Sequence, residues 1–481
     1  MVTDGLDAPS RASAPGSQSA AECPLNSRHF TRSVESGHAP GSLSRSVIAA
    51  VTGLLQQLDP AVASPDPRAE EDAGAGPGLT EVQCIDLLRD LEDLKSAAAG
   101  AQVAVTAHLA TARHDAEAAA GVPTAKRGKG LACEVALARR LSPHRGGQHL
   151  GMARALQADL PHTLAALRRG DLSEWRATLL VRECICLSGP QRRAFDAELW
   201  QNPTELVGLG DRRLVALAKR VAYRIDPHSV VKRSARAERE RHVSLRPAPD
   251  TMAYLTALLP VAQAVAAYGA LDAAAKTSRA AGDERGRGQI MADTLVSRLT
   301  GSGAEVPAPV ELQLVMTDQS LVGGTEPAYL AEQGSVAAGW ARDLLRRALS
   351  DGGCGLWVRR LFTNPAGQLV AMESRSRHAP PGLARYIATR DAGRCRTPYC
   401  DAPVRHIDHV VDYGDGGPTS EPNLASRCEQ CNYAKSAPGW SATATSRGDP
   451  PGAIRAGPPL QTRTPTGHSY TSPTPRLPRT G

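Results

Sequence analysis

From Thr80 onward the chain alternates apolar and polar positions with helical spacing. Val82, Ile85, Leu88, Leu91 and Leu94 recur every three residues, and Thr80 with Gln83 has the form of a capping box at the start of that run. Further segments of the same kind follow over 132–141, 145–156, 161–168, 173–187, 190–200, 212–226 and 230–240. Ser142-Pro143, Gly170, Ser173 and Gly189-Pro190 supply the stops and caps between them. The most apolar stretch, 251–275, is broken by Pro260 and contains Gln263. It predicts a buried helical hairpin over 251–268 and 290–300 rather than a membrane span. Residues 309–317 alternate cleanly through Val310, Leu312, Leu314 and Met316 and predict a strand. Residues 357–362 and 368–372 predict a hairpin around Asn364 to Gly367.

Beyond those elements the texture changes at both ends. Residues 1–78 and 446–481 are rich in Ser, Ala, Gly and Pro, with too little apolar surface to offset ordering entropy, and disorder is expected there. Val47, Val51, Leu54 and Leu55 share one face, enough for a short helix over 44–58. The fold class that results is a mainly α domain over 79–345, followed by a small α+β domain over 346–445 with disordered termini.

Charge adds little. Of the 56 basic residues 49 are Arg, and a GC-rich coding sequence explains that excess about as well as nucleic-acid binding does. The basic run Arg233 to Arg246 is interleaved with Glu238 and Glu240 and reads as a solvated face. No charged segment followed by an apolar core is visible near Met1, so a cytoplasmic protein with reduced thiols is expected.

The ten cysteines are informative through their placement. Six are scattered, and Cys184 and Cys186 suit a buried helix turn. Cys395, Cys400, Cys428 and Cys431 form two close pairs separated by a loop, the ligand pattern of a closed, structural tetrahedral Zn²⁺ site. Between the pairs lie Asp408-His409, the Gly-rich stretch 412–418 and Asn423; Asn432 and Lys435 follow within a short helix predicted over 427–436, after a strand over 404–411. Phosphodiester hydrolysis needs a base for water and a cation for the leaving oxygen. A neutral His serves as the base near pH 7. A carboxylate with a carboxamide is a hard donor set suited to Mg²⁺.

This segment resembles the HNH endonuclease family, with its ββα-metal fold. His409, Asn423 and Asn432 stand at the three signature positions. Asp408 precedes the His, Gly416-Gly417 precedes the first Asn, and Lys435 follows the last position. The resemblance implies His409 as general base, Asp408 and Asn432 as ligands of a catalytic Mg²⁺ or Mn²⁺, and Asn423 as the group holding the loop and the His ring. Lys435 would bring phosphate-binding charge, and DNA would be the substrate. The last position is often His, so Asn432 weakens any case for a tight transition-metal site. Arg385, Arg390, Arg394 and Arg396, near the helix predicted over 381–390, would contact phosphates; His406 reads as a strand surface residue. The whole chain is also similar to actinobacterial proteins that join an Ala-, Leu- and Arg-rich helical domain of unknown function to a C-terminal HNH module. Two other readings remain open at this point: a DNA-binding protein that keeps a zinc-stabilised HNH fold without cutting, and a self-association module in the helical domain beside a vestigial nuclease.

Overall fold

A computed structural model describes residues 80–206, 208–301, 314–316, 318–330, 334–350, 376–444 and 459–472. The expected short helix at 44–58, the hairpin at 357–372 and most of the strand at 309–317 lie outside those residues.

The helical part opens with α1 (Glu81–Ala119), where Gln83 N donates to Thr80 Oγ1 and Thr80 N to Gln83 Oε1, the reciprocal pair of a capping box. The chain divides within α1, between Asp90 and Leu91, and every later element belongs to the second unit. There follow α2 (Leu131–Ala138), α3 (Pro143–Asp159), α4 (Pro161–Arg169), α5 (Glu174–Cys184), α6 (Gly189–Leu199), α7 (Asp211–Ile225) and α8 (Pro227–Arg239). Each begins where the sequence offers a stop or cap: Ser142 and Ser173 accept from Arg145 N and Arg176 N, and Gly170 ends α4 in the left-handed region.

Their inner faces build one core. Val103 from α1, Leu156 from α3, Leu164 and Leu167 from α4, Leu180 from α5, Phe195 from α6 and Leu214 and Val221 from α7 are all buried in it. The N-terminus of α4 has no cap of its own. Asp196 on α6 supplies one, accepting from His162 N at 2.6 Å, Thr163 N at 3.1 Å and Thr163 Oγ1 at 2.5 Å. Burial pushes the Asp196 carboxyl up despite those donors. Cys184 lies in the same core with its thiol pushed up to about 12 by burial, in keeping with an inert structural thiol.

The apolar stretch after α8 departs from expectation. It forms β1 (His242–Pro247) and β2 (Ala253–Leu258), an antiparallel hairpin, and then α9 (Val261–Ala280) and α10 (Arg287–Thr300). The turn places Asp250 and Thr251 at positive φ, so the run that reads as a helix start is a hairpin turn. The helical pair is largely exposed, with Ala275 and Ile290 as its buried apolar residues. Then come β3 (Leu314–Val315), α11 (Asp318–Val322), β4 (Ala328–Leu330), β5 (Gly334–Val336) and α12 (Ala338–Ser350); the three strands form one antiparallel sheet.

The C-terminal module comprises α13 (Pro381–Arg390), β6 (His406–His409), β7 (Leu424–Arg427), α14 (Glu429–Lys435) and β8 (Ser441–Ala444). β6 and β7 are antiparallel, pairing Asp408 with Ala425 and His409 with Leu424. α13 covers them with Leu383, Tyr386 and Ile387 against Leu424. The expected disorder after 446 is overturned over 459–472. Residues there form β9 (Leu460–Arg463) and β10 (Ser469–Thr471), and β9 is the central strand of a sheet ordered β10-β9-β8. Leu460 is buried with Val410, Ala425 and Ala442, and Thr462 and Thr464 are buried as well. Their composition hides this because apolar surface is supplied by strands elsewhere in the chain. Among the described residues no helix is long and apolar enough to cross a membrane.

Candidate active site and metal centre

Two short loops bring the four cysteines together. Cys395 and Cys400 flank a turn held by Cys400 N donating to Thr397 O, with Tyr399 at positive φ; Cys428 caps α14, and Cys431 lies in its first turn. All four Sγ atoms lie within 4.8 Å of one another, and all four residues are buried. Cys400 Sγ and Cys428 Sγ are 3.7 Å apart. A Zn–S bond of about 2.3 Å sets tetrahedral sulfurs about 3.8 Å apart, whereas a disulfide needs about 2.05 Å. The cluster is therefore positioned to bind a metal such as zinc. Arg427 supports the same assignment. Its side chain is fully buried, NH1 donates to Thr397 Oγ1, and Nε and NH2 have no hydrogen-bond partner. Four thiolates around a dication carry two net negative charges, a counter-charge for that guanidinium.

The polar site lies on the other side of α14. His409 ends β6 and is buried; its Nε2 is 2.8 Å from Thr419 Oγ1. The Thr419 hydroxyl in turn donates to Ser376 O at 2.7 Å. A hydroxyl has one proton, and a carbonyl can only accept, so Oγ1 accepts from His409 Nε2–H. Nδ1 is then the unprotonated nitrogen. Burial lowers the His409 pKa, and the charges of Lys435 and Arg377 lower it further, against Asp408 and Asp412, which raise it. Tyr413 meets the ring edge-on at 5.7 Å.

Asn423 hydrogen-bonds across the loop. Oδ1 accepts from Val411 N at 2.9 Å, and Nδ2 donates to Val411 O and Pro418 O at 3.0 and 2.9 Å. The loop passes so close that a Cβ on Gly417 would lie 2.0 Å from Val411 O. The His ring, however, is held by Thr419 and not by Asn423. Lys435 reaches back from α14 to Asp408 Oδ2 at 2.9 Å, Asp412 Oδ1 at 2.5 Å and the carbonyl of His409. Its ammonium thus joins the helix to β6. Asn432 stands one turn earlier on the same helix face, and its carboxamide makes no hydrogen bond among the described residues.

Residues 395–437 match the HNH endonuclease family, and residues 88–391 match a family described as a domain of unknown function, DUF222. The chain belongs to the DUF222 family. It carries an HNH endonuclease domain behind that region. No curated protein and no solved structure matches the chain.

Two of the arginines expected at a phosphate surface lie inside the C-terminal module instead. Arg390 and Arg396 are buried, and both bind Asp391, itself fully buried. Arg390 Nε and NH2 reach the two Asp391 oxygens at 3.0 and 3.2 Å, and Arg396 NH1 reaches Oδ1 at 2.9 Å. Arg390 also holds Glu421 and Leu424 O, while Asp391 accepts from Ser426 N at 2.8 Å. These guanidiniums join α13, the zinc loop and β7; they are not available to a duplex. Arg385 is exposed, and Arg394, half-buried, donates to Asp401 O. His406 is half-buried on β6 beside the Tyr433 ring.

The DUF222 region touches the zinc knuckle directly. On α2, Cys133 Sγ lies 3.9 Å from Gln430 O, and Gly130 passes so close that a Cβ there would be 2.7 Å from Trp440 Nε1. Glu134, buried and paired with Arg113 at 2.8 Å, accepts from Thr466 Oγ1 at 2.6 Å and Thr466 N at 3.2 Å. Thr419 and Asp412 were missed by sequence reasoning. The one signal for the first is that Thr419 stands directly behind Gly416-Gly417-Pro418.

Proposed function

We propose that the protein is a metal-dependent endonuclease that hydrolyses phosphodiester bonds in DNA. The observation that carries this reading is the hydrogen-bonded chain Ser376 O, Thr419, His409, which leaves Nδ1 of a buried, neutral imidazole free to take a proton from water. Asp408 and Asn432, a carboxylate and an unengaged carboxamide on facing elements, would hold a divalent ion, Mg²⁺ or Mn²⁺. That ion would stabilise the charge on the leaving oxygen. Asn423 fixes the loop that carries Thr419. Lys435 neutralises the Asp408–Asp412 pair and holds α14 to β6. Arg377, whose charge reaches His409, and the exposed Arg385 would bind the phosphates flanking the scissile bond. Zn²⁺ on the four cysteines would be structural, since four protein ligands leave no position for substrate.

The test uses purified protein and its His409→Ala variant, with bound zinc measured first, incubated with plasmid DNA and Mg²⁺ or Mn²⁺. Cleavage by the parent and none by the variant supports the proposal. Binding without cleavage by either would favour a DNA-binding role on the same fold.

A further inference from the structure

Among the described helices of the DUF222 region, α7 gathers the most exposed cations that lack an acidic partner, all on its outward face. At 3.6 residues per turn, Lys219, Arg212, Tyr223, Arg220, Arg213 and Arg224 fall on one arc of about 140°, and all six are exposed. Leu214, Ala218, Val221 and Ala222 face the opposite way, into the core. Arg224 is paired with Glu198. Arg212, Arg213, Lys219 and Arg220 have no acidic partner among the described residues. The one acid of α7, Asp211, is turned toward Trp175 Nε1 at 2.9 Å and Arg176 at 3.9 Å. On α8, by contrast, two of the four cations meet an acid: Arg236 pairs with Glu240, and Arg233 lies 3.4 Å from Glu183.

We propose that this face of α7 is a second, sequence-independent binding surface for double-stranded DNA, separate from the HNH cleft. The four unpaired cations form two pairs, Arg212 with Arg213 and Lys219 with Arg220, seven residues apart. That spacing is about 10.5 Å along the axis, close to the roughly 12 Å width of the major groove. A helix laid across the groove sets one pair against each phosphate wall, with Tyr223 one turn beyond the second pair as a further donor. Nothing on this face offers the carboxamides that read base edges, so the contact positions a duplex and carries no sequence preference. A helical domain attached to a nuclease gains from this by holding the substrate through release and rebinding of the cleft.

The experiment measures binding without cleavage, so it stands whether or not the nuclease reading does. The full chain carrying His409→Ala is titrated into a fluorescent 30-base-pair duplex by anisotropy, from low to moderate salt and without added Mg²⁺. Adding Arg212→Ala, Arg213→Ala, Lys219→Ala and Arg220→Ala together should lower the log–log salt slope by about 3 to 4 and weaken binding at least tenfold. All four side chains are exposed, so unchanged circular dichroism and bound zinc are expected. Arg233→Ala with Arg236→Ala on α8, where each cation already meets an acid, should change affinity less than twofold. An unchanged slope in the fourfold variant would overturn the proposal, as would a parent chain that does not bind duplex at low salt. Tighter binding of single-stranded RNA through the same four residues would overturn the choice of duplex DNA.

Discussion

Replacing Asp391 by Ala is the most informative single change to the C-terminal module. The carboxylate is fully buried and accepts four hydrogen bonds, three from guanidinium nitrogens and one from Ser426 N. Its loss removes the carboxylate shared by the buried guanidiniums of Arg390 and Arg396, with Glu421 beside Arg390 as a remaining counter-charge. Removing one partner of a buried ion pair costs about 3–5 kcal/mol, a large part of the roughly 5–15 kcal/mol that holds a domain together. Denaturant unfolding, with zinc release read by a chromogenic chelator, should show the extrapolated unfolding free energy falling by that amount and zinc leaving at lower denaturant. Asp401→Ala, at an exposed position in the same loop, should stay within about 0.5 kcal/mol of the parent. Adding Arg390→Met and Arg396→Met to Asp391→Leu should recover part of the loss, since it removes the stranded charges. A cost below about 1 kcal/mol for Asp391→Ala would refute the account of these arginines as buried struts and return them to the surface role.

Thr419→Val removes the acceptor for His409 Nε2–H; it should lower kcat for plasmid cleavage by about tenfold or more at unchanged KM and zinc content, and Thr419→Ser should restore it. The pH profile follows from the lowered His409 pKa: the neutral base is present above that value, so cleavage should be level above the ordinary imidazole value of about 6.5 and fall only in more acidic buffer. A divalent ion on Asp408 would add positive charge beside the ring and move the fall further in the same direction. Removing zinc with a strong chelator should unfold the module over 376–444, seen as lost tryptophan signal from Trp440 and faster proteolysis. Asp196→Ala strips the cap from α4 and should cost about 2–3 kcal/mol in thermal unfolding of the DUF222 region, with zinc content unchanged.

The helices of the DUF222 region were legible because their periodic apolar positions and their caps agree, residue by residue, at Thr80, Ser142, Ser173 and Gly170. The zinc ligands were legible from spacing alone. Three features were not. The strand pair β1–β2 lies in a stretch whose apolar residues suit either element, and only the positive φ at Asp250 and Thr251 decides. Arg390 and Arg396 look like surface charge until Asp391 is seen to be their partner, because a sequence does not record which way a guanidinium turns. Thr419 has no signature as a ring anchor, since its role depends on Ser376, 43 residues away in the chain.

The closing hairpin has a consequence for biosynthesis. Thr466 meets Glu134 from 332 positions further along the chain, and β9 supplies the middle of a three-stranded sheet in which β8 precedes it and β10 follows. Contacts of such separation form late, after local helices have already folded. The helical region can be complete on the ribosome while the knuckle against α2 still lacks its cover. Glu134 then waits with Arg113 alone, and the wall between the two regions closes only once residue 472 has emerged. A nascent or prematurely ended chain would thus present folded helices beside an HNH domain whose flanking sheet is incomplete.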